Sequence, residues 1–357
     1  MRVLFFGTYD ERTHPRIEVL REGLAAHGAT IEVCNRPIGL STADRVDLVR
    51  RPWRVAGRAW ALARVFAGLR RDARQHRDDV DVVVVGYLGV LDIRLARRWF
   101  DSTIVLDHMA PVAGTFHDRG LGGLRARVAE RIDRRAVDAA DIVLVDTDEH
   151  AAAAPGKALV VPVGASRRWF DARRSAADDD RASVVFFGLY TPLQGIRTIA
   201  TAAARTANRV RWTLIGGGQE RAEADAILAD AAGAVKVVDW VDADALPDVV
   251  ADHDICLGIF GTTPKADRVV PNKVFQGAAA GCAVVTSDTA PQRRALGSGA
   301  TYVPAGDADA LTEVIESLAT DRARRAAGRA AAASVADERF SPAAVVAPLV
   351  EALRASG

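Results

Sequence analysis

The sequence predicts an α/β protein of two doubly wound parallel-sheet domains, and three observations carry that expectation. Short β-branched runs recur between longer stretches rich in Ala, Leu and Arg; the runs are apolar throughout rather than alternating; and the whole pattern begins again midway along the chain. Continuous apolar strands bounded by Gly or Asp belong to a parallel sheet covered on both faces by helices. At 357 residues the chain also exceeds what one hydrophobic core usually serves.

In the first half the runs are RVLFFG, TIEVC, DVVVVG, TIVLD, DIVLVDT and ALVVPVG. In the second they are SVVFFG, RWTLIGGG, VKVVDW, DICLGIF, CAVVTSD and TYVPAGD, again with Ala-rich segments between them. The order reads strand, helix, strand, twice over. Domains are therefore expected over residues 1–166 and 183–340. The stretch 167–182 contains RRSAADDDR, polar and without periodicity, and reads as a hinge. Residues 341–357 open on Ser-Pro and carry Val345, Val346, Leu349, Val350 and Leu353 at helical spacing, which predicts a closing helix.

Composition narrows the class. With 49% hydrophobic and 26% charged residues the chain is an ordinary globular protein, not a disordered one. The net charge of +1 hides an asymmetry: residues 1–175 hold 29 Lys and Arg against 23 Asp and Glu, so the basic surplus lies in the first half. That favours an anionic partner there and is too mild for nucleic acid. Cys34, Cys256 and Cys282 are scattered through apolar runs, which excludes a disulfide framework or a metal knot and fits a reducing cytoplasm. The opening MRVLFFGTYDERTH has too short an apolar run for a secretory signal, and no stretch approaches the length of a membrane span.

Ligands of parallel sheets sit at the carboxyl ends of the strands. Gly7-Thr8-Tyr9 follows the first strand, and Gly188 to Gly195 follows the restart. Gly195 opens the helical pattern GIRTIATAAA, whose first free N–H groups would make a seat for an anion such as a diphosphate. A pair of tight strand-to-helix turns reads the same glycines equally simply. In VVPNKVFQGAAAGCAVVTSDTAPQRRAL, Pro271 belongs at a helix edge, so Asn272 and Lys273 fall where loop becomes helix. Gln276 follows on the same side, with donors and acceptors suited to hydroxyls. An ordinary helix with a solvated lysine is the alternative.

Taken together, VFFGLYTPLQGIRTI, LIGGG, KADR at 265–268, PNKVFQGAAAGCAVVTSDT and YVPAGDADAL resemble the C-terminal domain of family 4 retaining glycosyltransferases of the GT-B fold. FFGTYDERTHPRIEVLREGL, VVVVGYLG and VPVGAS extend the likeness loosely into the first half. The resemblance implies two Rossmann-like domains with a cleft between them, a nucleotide-diphosphate sugar such as a UDP- or GDP-linked hexose as donor, retention of configuration and no metal. It assigns Gly188, Gln194 and Gly195 to a phosphate loop, and Asn272, Lys273 and Val274 to the segment that meets phosphate and sugar. Gln276 falls where the family has a glutamate on the ribose, and Lys273 is the residue to stabilise the leaving diphosphate. The chain departs from the family pattern at Leu189 and Gln194, where Arg and Lys are usual, and at Arg268 and Gln276, where a pair of glutamates is usual. Lys265, Arg268 and Arg197 are the cations left to assist, and Gly7 is the donor-side candidate in the first half.

On the acceptor side, the resemblance places His108, just after TIVLD, near the transferred sugar. His117 and Asp118 follow in a nearby loop, and Arg16 is a candidate for an anionic acceptor group. The Asp-x-Asp triplets at 146, 242 and 307 read as helix caps rather than metal ligands. Gly216-Gly217-Gly218 lacks the remainder of a dinucleotide fingerprint. Residues 50–74 form a basic pattern with Val55, Ala59, Leu62, Phe66 and Leu69 at helical spacing beside Trp53 and Trp60. The pattern reads either as a sheet-covering helix or as a peripheral contact with the inner face of a membrane, which would suit a lipid-linked acceptor. Two other functions stay open: a non-catalytic partner that keeps the fold, and a nucleotide-sugar epimerase.

Overall fold

The structure, a computed structural model, describes residues 1–11, 14–38, 59–86, 89–109, 124–152, 154–174, 181–231 and 233–355. Each of the twelve apolar runs is a strand. The first six are β1 (Arg2–Gly7), β2 (Thr30–Asn35), β3 (Val82–Val85), β4 (Thr103–Asp107), β5 (Ile142–Val145) and β6 (Ala158–Val160). They form one parallel sheet in the order β2-β1-β3-β4-β5-β6, with Val3 opposite Val82 and Val105 opposite Ile142. The second six are β7 (Ser183–Phe187), β8 (Arg211–Ile215), β9 (Val235–Val238), β10 (Ile255–Leu257), β11 (Ala283–Ser287) and β12 (Ala300–Val303). Their order is β12-β11-β10-β7-β8-β9, also all parallel.

Both sheets follow from the same physics. β3, β7 and β11 are buried at every residue, which only helices on both faces can supply. In the first sheet the helix Asp92–Trp99 brings Trp99 edge-on to Phe6, with Phe100 just past its end doing the same at centroid separations of 5.9 and 5.6 Å. In the second, the helix Ile196–Thr206 buries Ile196, Ile199, Ala200 and Ala203 against β7 and β8. Asp307 and Asp321 cap the helices Ala308–Thr320 and Arg322–Arg339, each accepting an N–H three residues on at 2.9 Å.

The chain divides into two compact units, Met1–Val161 with Val346–Gly357, and Pro162–Val345. The closing helix runs over Pro342–Ala355 and buries Val345, Val346, Leu349, Val350 and Leu353. Within the stretch 167–182, Arg167–Asp171 is helical, and Trp169 stacks on Phe187 at 5.9 Å. Arg173 follows with a two-pronged pair to Asp337, at 2.9 and 2.8 Å. The apolar Trp169-Phe170 pair accounts for this helix, because it gives an otherwise charged segment something to bury.

Each unit ties its strand ends with buried charge. Asp254 accepts from the Ser183 N–H and hydroxyl at 2.9 and 2.8 Å, with Arg329 and Arg325 at 3.5 and 3.8 Å. In the first unit Arg16, expected to meet an anionic acceptor, is only 2% exposed. Its Nε donates to Asp107 at 2.8 Å and its Nη1 to the Val161 carbonyl at 2.7 Å, joining the end of β4 to the chain just past β6. Removing one member strands the other charge in the core, so Arg16→Leu or Asp107→Leu alone should lower stability by about 3–5 kcal/mol, while the double substitution loses much less. Melting curves of the two single variants and the double variant test this coupling.

Candidate functional site

The second sheet changes direction of growth at β7: β8 and β9 lie to one side of it, and β10, β11 and β12 to the other. Such a reversal leaves a crevice at the carboxyl ends of the two central strands, where ligands of doubly wound folds bind. Two chain segments meet there. One is the loop Gly188–Gly195 after β7, leading into the helix Ile196–Thr206. The other precedes the helix Asn272–Ala279, which follows β10.

Glycine makes the close approach of these loops possible. Gly195 is left-handed at φ +68°, and a Cβ there would lie 2.4 Å from the Phe260 carbonyl carbon. Gly216, at φ +129°, has no room either, because a Cβ would stand 2.0 Å from the Gly188 oxygen. The backbone bonds Tyr190 N to Gly217 O at 2.9 Å and Phe260 N to Gln194 O at 3.0 Å then lock the loops together. The Gly216-Gly217-Gly218 run is thus a packing surface for the first loop, a role its triple glycine hinted at but did not specify.

Lys273 is the centre of this arrangement. Its side chain is 5% exposed, its ammonium donates to the Gln194 amide oxygen, and it lies 4.3 Å from the centre of the Phe186 ring. Among the described residues no carboxylate pairs with it. Burial lowers its pKa from the ordinary lysine value to about 7. A Cβ on Gly188 would come within 3.0 Å of the ammonium, so the glycine keeps that side of the charge open. Neither the Ile196 helix nor the Asn272 helix has a side-chain N-cap, which leaves first-turn N–H groups available to an anion.

Other residues named from the sequence fall into place around this core or away from it. Gln276 is one turn along from Lys273, 7% exposed, and its amide has no hydrogen-bond partner among the described residues. Asn272 is the first helical residue and half-buried, whereas Val274 is fully buried and contributes packing. Gly277 fits against Cys256, whose Sγ would be 2.5 Å from an added Cβ, so the helix lies close on β10. Arg197 is exposed and paired with Glu223 at 2.7 Å. Arg268 is exposed in the short turn Ala266–Arg268. Phe186, which the sequence reading missed as a site residue, lies inside a strand and gave no signal beyond hydrophobicity.

In the first unit, the space a side chain at Gly7 would take is bounded by Asp92 Oδ2 at 3.1 Å and the Tyr9 ring at 3.2 Å. Asp92 also accepts from the Thr8 N–H and hydroxyl at 2.8 and 2.9 Å, which fixes the turn after β1. His108 follows β4 and is 3% exposed; burial lowers its pKa, opposed by Asp133 and reinforced by His150, so its ring is neutral near pH 7. His150 is held by Asp146 at 2.6 Å, so the first aspartate of that Asp-x-Asp triplet serves a histidine. His117 and Asp118 lie outside the described residues. No group of metal-ligating side chains occurs among the described residues.

Residues 181–321 match the family described as Glycosyl transferases group 1. Along nearly its full length the chain also superposes on glycosyltransferase structures. HepE from Anabaena, solved with UDP and glucose, is 15% identical with a TM-score of 0.70, covering 99% of this chain and 100% of its own. Sucrose-phosphate synthase from Thermosynechococcus elongatus is 14% identical with a TM-score of 0.73, covering 100% of both. The fold is GT-B. An Escherichia coli protein bound with UDP-2-fluoro glucose shares this GT-B fold at 13% identity and a TM-score of 0.70, over 99% of each chain. No curated protein matches by sequence. The matched segment contains Lys273 and the residues shown around its ammonium, Phe186, Gly188 and Gln194, as well as Gly195 and Gln276.

A buried ammonium with no counter-ion should destabilise the ligand-free protein. Because the folded pKa of Lys273 lies below its unfolded value, the unfolded chain binds the extra proton between pH 7 and the ordinary lysine range. The penalty is therefore complete below about pH 7 and fades as the pH rises through that window. Lys273→Met should raise the melting temperature at pH 6 and lose that advantage toward pH 10. Melting curves of both proteins across this range check the sign.

Proposed function

We propose that this protein is a glycosyltransferase that takes a sugar from a nucleoside diphosphate donor seated in the second unit. One observation carries the reading: a buried cation, Lys273, has no carboxylate partner among the described residues and reaches from the first turn of the Asn272 helix to Gln194, just before the Ile196 helix, inside the segment that matches the group 1 glycosyl transferases. Charge of this kind waits for a ligand of opposite sign. A pyrophosphate supplies it, and the uncapped N–H groups satisfy its remaining oxygens. Gln276, one turn along, has amide donors and acceptors left for ribose or sugar hydroxyls. Uridine is the base we favour, since HepE and the Escherichia coli protein of the same fold were solved with UDP or a UDP sugar.

In this reading catalysis is electrostatic. As the bond between the anomeric carbon and the diphosphate stretches, negative charge collects on the leaving oxygens, and Lys273 with the two helix termini stabilises it where it forms. The same groups would do a divalent cation's work, so the transfer is proposed to need no metal. Attack from the face the diphosphate leaves, with a leaving oxygen taking the acceptor's proton, gives retention without a carboxylate dyad. The first unit is assigned the acceptor, with His108 as a neutral hydrogen-bond donor to the hexose.

Linkage makes the donor reading testable. Pyrophosphate binding requires Lys273 protonated, so affinity for UDP-glucose should fall about tenfold per pH unit above pH 7 in the wild type, with proton uptake on binding. Lys273→Met should bind weakly and show no such slope. Calorimetry in buffers of different ionisation enthalpy measures both, and UDP-, GDP-, ADP- and TDP-sugars tried in parallel identify the base. A pH-independent affinity, or no binding of any nucleotide sugar, overturns the reading. Anomeric proton couplings of the transfer product decide retention. The family's usual Arg and Lys are absent at Leu189 and Gln194, which favours a second reading as a non-catalytic partner. Binding without transfer or slow donor hydrolysis would select it.

A further inference from the structure

Five arginines of the first unit line an apolar groove and the hollow beside it. The helix Ala59–Ala73 covers its sheet with Leu69 and Ala73, both buried in the core. Its outer side is different: Trp60 is 70% exposed with Arg64 stacked over its ring at 4.6 Å, and Arg70 is exposed. Across from it runs the helix Asp92–Trp99, preceded by Leu91, which is 59% exposed.

Between the two helices lies an open groove of about 920 Å³. Phe66, Leu95 and Trp99 supply its apolar surface, and Arg70, Arg94 and Arg98 its charge. A smaller hollow beside it adds Arg74 and Arg77. Among the described residues no Asp or Glu lines either one. Arg97 is held by Asp141 at 2.7 Å, but these five arginines have no carboxylate partner among the described residues. Soluble proteins normally intersperse both signs on their surface, and they rarely place exposed Trp and Leu at the rim of such a cluster.

We propose that this groove is a docking surface for anionic phospholipid, with headgroup phosphates on Arg70, Arg94 and Arg98 and with Trp60 and Leu91 entering the interfacial layer. Charge complementarity names the sign of the occupant, and the apolar surface separates a lipid layer from a soluble polyanion, which needs arginines alone. Membrane attachment characteristically combines two such weak signals, and Trp prefers the level of the headgroups. No described helix is long and apolar enough to cross a membrane, so the contact is peripheral. The sequence pattern pointed to residues 50–74 alone, of which 50–58 lie outside the described residues; the structure adds the second wall from residues 91–99.

The test uses the full-length protein and no nucleotide sugar, so its outcome is independent of the transferase reading. In flotation with lipid vesicles, the wild type should bind phosphatidylcholine mixed with phosphatidylglycerol and ignore pure phosphatidylcholine. Arg70→Glu/Arg94→Glu/Arg98→Glu should reduce partitioning on the order of 100-fold, and Trp60→Ser/Leu91→Ser roughly tenfold. Raising salt from about 0.1 M to 1 M should release the wild type. If charge reversal prevents folding, judged by circular dichroism, the milder Arg70→Gln/Arg94→Gln/Arg98→Gln variant and the salt titration decide. The proposal falls if acidic vesicles are ignored, if neutral vesicles bind equally well, or if a folded arginine variant floats like the wild type. Retention on heparin without vesicle binding would assign the surface to a soluble polyanion and overturn it too.

Discussion

A single ammonium group organises the second unit. Lys273 is held by an amide oxygen and an aromatic ring, neither of which can neutralise it, in a place water scarcely reaches. Removing a cation from water without a counter-ion is among the more unfavourable things a fold can do. The core around it tolerates this because the rest of that unit is well satisfied: β7 is buried along its length, its start is anchored through Ser183 to Asp254, and the Asn272 helix lies close on β10 through Gly277. The instability is local and points outward past Gly188, where an anion can relieve it.

The topology explains why the charge is found there. In a parallel sheet that grows in both directions from β7, the helices after β7 and β10 leave on opposite sides and their N-termini separate, opening a crevice at the strand ends. Lys273 stands 79 residues from Gln194 in sequence, yet the neighbouring positions of β10 and β7 bring them into contact. The glycines at 188, 195 and 216 then let backbone, rather than side chains, form the crevice walls. A wall of N–H groups is rigid and does not titrate, so among the described residues the crevice owes its response to pH near neutrality to the lysine.

Most of this was legible from residue order alone. The strands were visible because buried parallel strands must be apolar at every position, and the segment 272–276 because a proline edge and a lysine stand beside a run of small residues. What stayed hidden depends on long-range contact. Nothing near Gln194 announces that it faces a lysine, Phe186 is indistinguishable from core, and Arg16 looks available until Asp107 is found beside it. The polar stretch after residue 166 likewise conceals Trp169, whose stacking on Phe187 needs a partner eighteen positions away. Sequence showed which residue types were present; it could not show which charges would find each other.

That distinction separates the basic residues of the two units. Arg16 is buried and spent on Asp107, so it serves the fold; Lys273 is equally buried and has no carboxylate partner among the described residues, the contrast on which the proposed donor site rests. Arg70, Arg74, Arg77, Arg94 and Arg98 are neither buried nor paired with a carboxylate among the described residues, and exposed unpaired charge is easily dismissed as solvation. It gains meaning here from its company: a groove with no carboxylate among its described lining residues and with aromatic and aliphatic side chains at its surface and rim. Water satisfies an arginine, but it does not satisfy an exposed Trp and Leu beside five of them. A surface that combines both requirements is suited to the boundary between an acidic headgroup layer and hydrocarbon, where each is met at once.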